Sequence, residues 1–256
     1  MPESKGLDLS VVVPAYREEQ RLGPGLARIR EYLDSRGWRA EIIVVDDGSG
    51  DGTGELAREL LADYPHHQVL VNDPNQGKGW SVRRGMLAAS GRYALFTDTD
   101  LSTPIETFDD FKLAHDAGAD IVIGSRAMAG SDIVVHQPFL REMAGRCFNL
   151  FIRTFIMGGI VDTQCGFKSF RREAIRPVFG RQQIRRWGFD VEVLYIAKRL
   201  GYEVVELPVV WRNDEATKIN PVADGLRMCQ EALQARRMHK HLTVGDKALA
   251  VTITEE

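Results

Sequence analysis

Two aspartates, Asp98 and Asp100, stand one residue apart in Thr97-Asp98-Thr99-Asp100, directly after an apolar run. On extended chain, side chains alternate with period two, so both carboxylates point the same way. Two like charges this close repel each other unless a cation relieves them. Mg²⁺ or Mn²⁺, held by one or two carboxylates and completed by substrate phosphates, meets that need. A solvated turn is the alternative. A second acidic cluster, Asp46-Asp47-Gly48-Ser49-Gly50-Asp51-Gly52-Thr53, follows another apolar run. Turn and helix-cap chemistry accounts for Gly48, Gly52 and one of Asp51 or Thr53. It leaves paired Asp46 and Asp47 unexplained, and carboxylates there can accept hydrogen bonds from a ribose hydroxyl or a base N–H. The glycines fall at 50, 52 and 54, not in a GxGxxG pattern, and two acids ahead of them would repel a pyrophosphate. A dinucleotide fingerprint is therefore excluded. In Asn75-Gln76-Gly77-Lys78-Gly79 a lysine sits between glycines at an expected helix start. Asn72 occupies the place where a Walker A loop needs its first glycine, so this is not one. Lys78 can still meet a base or a phosphate; an ordinary turn with an exposed lysine is the other reading.

The elements that must position these residues follow from periodicity. Strands are expected at Ser10–Val13, Glu41–Val45, Val69–Val71, Tyr93–Thr97 and Ile121–Gly124. Between them lie helical patterns over 18–33, from Asp51 or Thr53 to about 61, 78–89 and 104–117. Strands that are continuously apolar, separated by helices, predict a mostly parallel sheet covered on both faces. In such a sheet ligands bind beyond the carboxyl ends of the strands, where the acidic clusters stand. The second half is less regular. It predicts a long helix over 138–157, a short strand over 166–170, a helix over 189–200, a strand over 204–209 and a closing helix from 224 to about 241.

Composition bounds the partners. The chain has 256 residues with 33 Lys and Arg against 36 Asp and Glu, a net charge of −3, which argues against binding nucleic acid through bulk charge. Three cysteines, Cys147, Cys165 and Cys229, show no CxxC spacing and read as reduced thiols in a cytosolic protein. Met1 to Leu9 is polar, with no signal-peptide core. The most apolar helical stretch, Phe148 to Val161, carries Arg153 and falls short of the roughly 20 residues a membrane span requires. Contact with a membrane surface is the remaining option. Arg146 and Arg153 share a helix face among Phe139, Phe148, Phe151 and Phe155, and Arg236-Arg237-Met238-His239-Lys240-His241 is the one marked basic cluster. Such a mixture suits an anionic bilayer surface, and equally a solvated face. Trp187 and Trp211 are expected in the core or in a pocket wall.

The motifs in this order resemble glycosyltransferase family 2, of the GT-A fold. The first half contributes Val13-Pro14-Ala15-Tyr16-Arg17-Glu18-Glu19, the Asp-Asp-Gly-Ser run, Asn-Gln-Gly-Lys-Gly and Asp-Thr-Asp. The second half narrows the likeness. Asp162-Thr163-Gln164-Cys165-Gly166-Phe167-Lys168, Trp187-Gly188-Phe189-Asp190-Val191-Glu192 and Thr217-Lys218-Ile219-Asn220-Pro221 resemble the dolichyl-phosphate β-glucosyltransferases and related polyprenyl-phosphate mannosyl enzymes. The likeness spans roughly residues 8 to 222. It implies an α/β, Rossmann-like GT-A sheet with a less regular acceptor side, one transferase domain over 1–222, and a C-terminal helix and tail over 223–256.

By the same resemblance, Pro14, Ala15, Tyr16 and Glu18 line a base and ribose pocket with Asp47 and Lys78. Asp98 and Asp100 form the metal motif at the donor diphosphate, with Mg²⁺ or Mn²⁺ as cofactor. Gln164 and Asp190 lie near the transferred sugar. Arg126 and Arg141 face an acceptor phosphate, and Lys218 closes over a phosphate from a mobile loop. The eukaryotic glucosyl enzymes carry an N-terminal membrane anchor that has no counterpart here, so a cytoplasmic or peripheral setting is expected.

The implied reaction is in-line displacement at an anomeric carbon with inversion, from UDP-glucose by preference or GDP-mannose next. A phosphate monoester is largely dianionic at pH 7 and needs cations to place it. A hydroxyl acceptor would need a general base, for which Asp190 is the candidate, unless it merely caps the helix at Phe189. Polyprenyl phosphate is the expected acceptor. A soluble hydroxyl acceptor and a non-catalytic nucleotide-sugar binding protein are the rivals, the last disfavoured by the paired Asp98 and Asp100.

Overall fold

A computed structural model describes residues 6–135, 139–212 and 221–248. Nine strands and eight α-helices are found among them. The strands are β1 (Leu9–Ala15), β2 (Ala40–Asp46), β3 (His67–Val71), β4 (Tyr93–Thr97), β5 (Ile121–Ser125), β6 (Asp132–Val135), β7 (Phe167–Arg171), β8 (Val204–Pro208) and β9 (Val210–Arg212). The helices are α1 (Leu22–Arg36), α2 (Thr53–Leu61), α3 (Lys78–Ala88), α4 (Phe108–Asp116), α5 (Phe139–Phe151), α6 (Arg172–Phe179), α7 (Phe189–Arg199) and α8 (Pro221–His239).

Seven strands form one sheet in the order β3-β2-β1-β4-β7-β5-β8. The expected mostly parallel sheet is present, and β7 alone runs against its neighbours β4 and β5. Alternate residues of the apolar strands feed two cores, one on each face. Val12, Ile43, Val45, Phe96 and Phe170 pack on one side with α3, α6 and α7. Val11, Val13, Ile42, Val44 and Phe167 pack on the other with α1 and α4. The period-two alternation is thus real but invisible in the sequence, because both faces are dry.

Reversal of β7 has a direct consequence for the site. Thr97 at the end of β4 pairs with Phe167 at the start of β7. The segment entering β7 is therefore delivered to the same sheet edge as Asp98. A parallel strand there would have sent it to the far edge. Contact is so close that a Cβ on Gly166 would fall 2.1 Å from Asp98 Oδ2. On the other side, a Cβ on Gly25 of α1 would meet the Thr99 carbonyl oxygen at 2.3 Å. The Asp-Thr-Asp loop is clamped between two glycines.

Several boundaries differ from expectation for physical reasons. The first helix begins at Leu22, not 18, because residues 18–21 form a turn in which Leu22 N–H donates to the Glu18 carbonyl. The long helix expected over 138–157 gives way after Phe151 to a π-helical turn, Ile152–Ile156. Met157 N–H donates to the Ile152 carbonyl, so that Ile152, Ile156 and Met157 all enter the core. The strand expected over 204–209 divides after Pro208, and β9 pairs with β6 in a small second sheet. Helix α6 was not apparent in the sequence; it holds Pro177 near its end and buries Ala174, Ile175, Val178 and Phe179. Helix α8 packs against α5 and α7 and places Met228, Ala232 and Ala235 in the core. His239, part of the basic cluster, is buried against Glu192, with Nε2 2.7 Å from Oε1, and so does not belong to a solvated or lipid-facing patch. All three cysteines are free.

His115 is fully buried, stacked on Tyr93, with Nδ1 at the Ala119 carbonyl and Nε2 at Ser169 Oγ. Burial pushes its pKa down to about 4, outweighing the Ala119 carbonyl that pulls it up. The unfolded chain takes up that proton near pH 6.5, before the folded chain does. Stability is thus intact above pH 6.5 and falls as pH drops toward 4, by about 3 kcal/mol from this group. Urea unfolding from pH 7 to 4 should show the loss, and His115→Gln should flatten the profile; an unchanged slope in the variant would contradict it.

Candidate active site

A cavity of about 880 Å³ opens at the carboxyl ends of β1, β2, β4 and β5. Its lining includes Pro14, Ala15, Tyr16, Glu18, Asp47, Lys78, Asp98, Asp100, Arg126, Gln164 and Asp190. Eleven of the expected site residues thus share one space. Asp46 is not among the lining residues. Arg141 lies within α5, but its side chain is outside what is described, as is all of Lys218.

The difference between Asp46 and Asp47 follows from strand geometry, since adjacent residues point to opposite sides. Asp46 turns into its own loop, where its carboxylate accepts hydrogen bonds from the Ser49 amide and hydroxyl. Ser49 Oγ in turn accepts the Arg17 amide at 2.9 Å, and Thr53 Oγ1 accepts that of Glu18 at 3.0 Å. Asp46 therefore braces the loop after β1 rather than lining the cavity. That loop needs bracing: Arg17 sits at φ 55°, and Leu101 after the Asp-Thr-Asp run at φ 47°. Left-handed non-glycine residues cost about 1–3 kcal/mol each and persist where their surroundings over-determine them. Asp47 faces the cavity while holding its wall. Its Oδ1 accepts from Asn72 Nδ2 and the Gln76 amide, and Oδ2 from the Gly77 amide at 2.8 Å. One lone pair on Oδ2 remains for a ligand donor.

Charges on the cavity floor are largely paired. Lys78 Nζ lies 2.5 Å from Asp98 Oδ1 and 5.5 Å from the Trp187 ring centroid. Burial works against the Lys78 ammonium, but Asp98 and Asp190 outweigh it and hold its pKa above the usual lysine value. Asp190 Oδ1 accepts a 2.5 Å hydrogen bond from Lys168, which is fully buried and also donates to the Cys165 carbonyl at 2.6 Å. Arg126 grips Asp162 through Nε at 2.7 Å and a terminal nitrogen at 2.9 Å. Burial opposes the charge on Asp162, yet Arg126 holds its pKa down to about 2. The Arg126 guanidinium, expected at an acceptor phosphate, lines the cavity with its fork already committed to a carboxylate.

Asp100 is different. It accepts the Ser102 amide at 2.9 Å and has no ion-pair partner among the described residues. Asp100 is exposed to solvent, yet partial desolvation at the cavity, with the Asp98 charge adding to it, pushes its carboxyl above the ordinary value. An unbalanced carboxylate beside a second one is the electrostatic signature of a cation site. Among the described residues no group of three or more His, Cys, Asp and Glu side chains could hold a metal. Two carboxylates, with the remainder of the shell supplied by phosphate oxygens and water, nevertheless fit Mg²⁺ or Mn²⁺.

Lys168, Asp162 and Arg186, which carry no role in the sequence reading, also belong to this site, as does Arg146, read from sequence only as part of a basic helix face. A signal existed for Lys168: a lysine between Phe167 and Phe170 in a buried strand needs a buried counter-ion. Trp187 and Trp211 line the cavity wall, as the core-or-pocket expectation allowed, and Arg126 lies over the Trp211 ring.

A Rossmann-like sheet thus brings an acidic pair and a lysine to one cavity. Residues 10–179 match the family model "Glycosyl transferase family 2", and the chain belongs to that family. It is a glycosyltransferase. Its relatives include proteins named dolichyl-phosphate β-glucosyltransferase. That of Dictyostelium discoideum is 36% identical over 243 residues, spanning 89% of this chain and 73% of that protein. The Homo sapiens protein of the same name is 34% identical over 250 residues, spanning 91% and 76%. Among solved structures, glucosyl-3-phosphoglycerate synthase of M. tuberculosis superposes with a TM-score of 0.66 at 20% identity, over 91% of this chain and 81% of that one. Mannosyl-3-phosphoglycerate synthase of Rubrobacter xylanophilus follows at 0.63 and 18%, over 91% and 75%. These two likenesses establish the GT-A fold.

Proposed function

We propose that this chain transfers glucose from UDP-glucose to a polyprenyl phosphate of the dolichyl type, inverting the anomeric centre. The names of its relatives support the sugar and the acceptor. UDP-glucose with Mn²⁺ occurs in a complex of the mycobacterial synthase that also contains phosphoglyceric acid. A soluble acceptor of that kind is the second reading.

The observation that favours a lipid is the surface beside the cavity. Ala144, Gly145 and Phe148 of α5 and Gly225 and Met228 of α8 line it. Outside that wall, Met143 and Leu150 are exposed seven residues apart on α5, and Leu226 and Leu233 likewise on α8. Phe155 is 55% exposed below them. Apolar side chains among Arg146, Arg153 and Arg227 suit the boundary between headgroups and acyl chains. No helix among the described residues is long and apolar enough to cross a membrane, so the contact proposed is peripheral.

Within this reading, Asp47 accepts a hydrogen bond from base or ribose through its open lone pair, and Lys78 moves from Asp98 to a donor phosphate oxygen. Asp98 and Asp100 would hold Mg²⁺ or Mn²⁺, and a cation there would supply Lewis-acid stabilisation of the leaving diphosphate. Asp190, fixed by Lys168 through one oxygen, offers the other to a sugar hydroxyl, as does Gln164. An acceptor phosphate oxygen attacks the anomeric carbon opposite the leaving UDP, so an α-linked donor gives a β-linked product. The acceptor arrives ionised and no base is needed. Because Asp162 occupies the Arg126 fork, Arg146 and Arg186 share the placing of the acceptor with Arg141 and Lys218.

The test is nucleoside diphosphate release from UDP-glucose and GDP-mannose in parallel, with and without a short polyprenyl phosphate. Lipid-stimulated release from UDP-glucose alone is expected. Slow release from UDP-glucose with no lipid response would move the acceptor to a soluble hydroxyl.

A further inference from the structure

A second cavity, of about 550 Å³, lies behind the first turns of α3 and the segment over 180–185. Its charged lining is of one sign or titrates to it: Arg83, Arg181, Arg185, His239 and His241. Among the described residues no aspartate or glutamate lines it. None of these side chains enters the account of transfer given above.

Arg83 is the residue that requires explanation. It is 9% exposed, and its Nε donates to the Phe179 carbonyl at 3.0 Å. Its two terminal nitrogens have no hydrogen-bond partner among the described residues, although each carries two donors. The guanidinium lies 5.0 Å from the Trp80 ring centroid, and that of Arg185 lies 4.6 Å from the same ring. Burial depresses the pKa of Arg83 and Arg185 adds to the effect, with Glu192 pulling the other way. Glu192 makes no hydrogen bond to Arg83, since its carboxylate is taken by the Gln183 and Ile184 amides and by His239. Stacking on Trp80 offsets part of the cost of a half-desolvated cation, and the terminal N–H groups are left open to the cavity for a ligand. Two guanidinium forks converging on one ring leave an opening for a tetrahedral dianion that accepts hydrogen bonds from both.

We propose that this cavity is a binding site for a phosphate group, free or carried on a small phosphomonoester, held by Arg83 and Arg185. The site stands directly behind the loop that carries Lys78. Trp80 N–H donates to the Arg185 carbonyl at 3.1 Å, Gln182 Nε2 donates to the Gly79 carbonyl at 2.8 Å, and Arg185 reaches Gln76 Oε1 at 2.5 Å.

The four tryptophan indole N–H groups make the site observable by ¹⁵N NMR of the full chain, with the Trp80 signal assigned through Trp80→Phe. Titration with inorganic phosphate and with glucose 6-phosphate should move the Trp80 signal saturably, while Trp38, on the other face of the sheet, stays in place. Tighter binding of the ester would identify a phosphomonoester as the occupant; equal affinities would show that the phosphate group alone suffices. Arg83→Gln should weaken binding at least tenfold. Arg185→Gln, at an exposed position where folding is not at stake, should do the same. Lys78→Ala in the first cavity should leave the Trp80 response unchanged. The proposal fails if Trp80 shows no saturable shift, if sodium chloride at equal ionic strength reproduces it, or if it survives Arg185→Gln and disappears in Lys78→Ala.

Discussion

Asp100→Ala is expected to lower divalent-cation-dependent turnover by at least about 10²–10³-fold, the scale of losing a main electrostatic stabiliser of the leaving group. The fold should survive. Asp100 makes one hydrogen bond, to the Ser102 amide, and no ion pair among the described residues. Partial desolvation and the Asp98 charge already work against its ionised form. Its removal relieves a like-charge contact, so the melting temperature should stay level or rise. Asp98→Ala is the less informative variant, because it also strips Lys78 of its 2.5 Å partner and confounds binding with stability. Turnover measured across a Mn²⁺ titration, beside a thermal melt, checks the prediction. A variant that keeps the wild-type rate would remove Asp98 and Asp100 from the metal assignment.

Lys168→Met should be the most destabilising single change at the site, by about 3–5 kcal/mol, since it leaves Asp190 charged and buried without its partner. Lys168 is fully buried, Asp190 is 6% exposed, and their contact is 2.5 Å. Adding Asp190→Asn should restore most of the stability, because no unpaired charge then remains. Activity should not return with it, as the carboxylate offered to the sugar is gone. Urea midpoints for the single and double variants, with kcat and KM for each, separate the two effects. A single variant as stable as the wild type would show that Lys168 does not hold Asp190.

The first half of the fold was legible because its strands are short, mostly continuous apolar runs rich in Ile, Val and Leu, and such runs occur where both faces are buried. What lies at their carboxyl ends was legible for the same reason: polar residues there cannot be core. The pairing of Asp46 with Asp47 misled, because it named two ligands where strand alternation allows only one to face the cavity. The reversal of β7 left no trace in its sequence, since strand direction is set by neighbours and not by composition. Arg126 and Asp162 are 36 residues apart, and nothing local announces that one fork will be spent on the other. Lys168 and Glu192 could have been singled out. Each is a charged residue inside an apolar element, and the structure supplies a partner for both, Asp190 and His239. The apolar faces of α5 and α8 were harder to see, because the sequence shows an amphipathic helix without showing that one side lines a cavity.

The most direct measurement is the bond formed by the chain incubated with UDP-glucose, Mn²⁺ and a short polyprenyl phosphate in detergent. The organic-extractable product would be isolated and its anomeric configuration read by NMR. The account predicts a β-linked glucosyl phosphate on the lipid. An α-linked product, or glucose recovered only on a water-soluble hydroxyl, would contradict it.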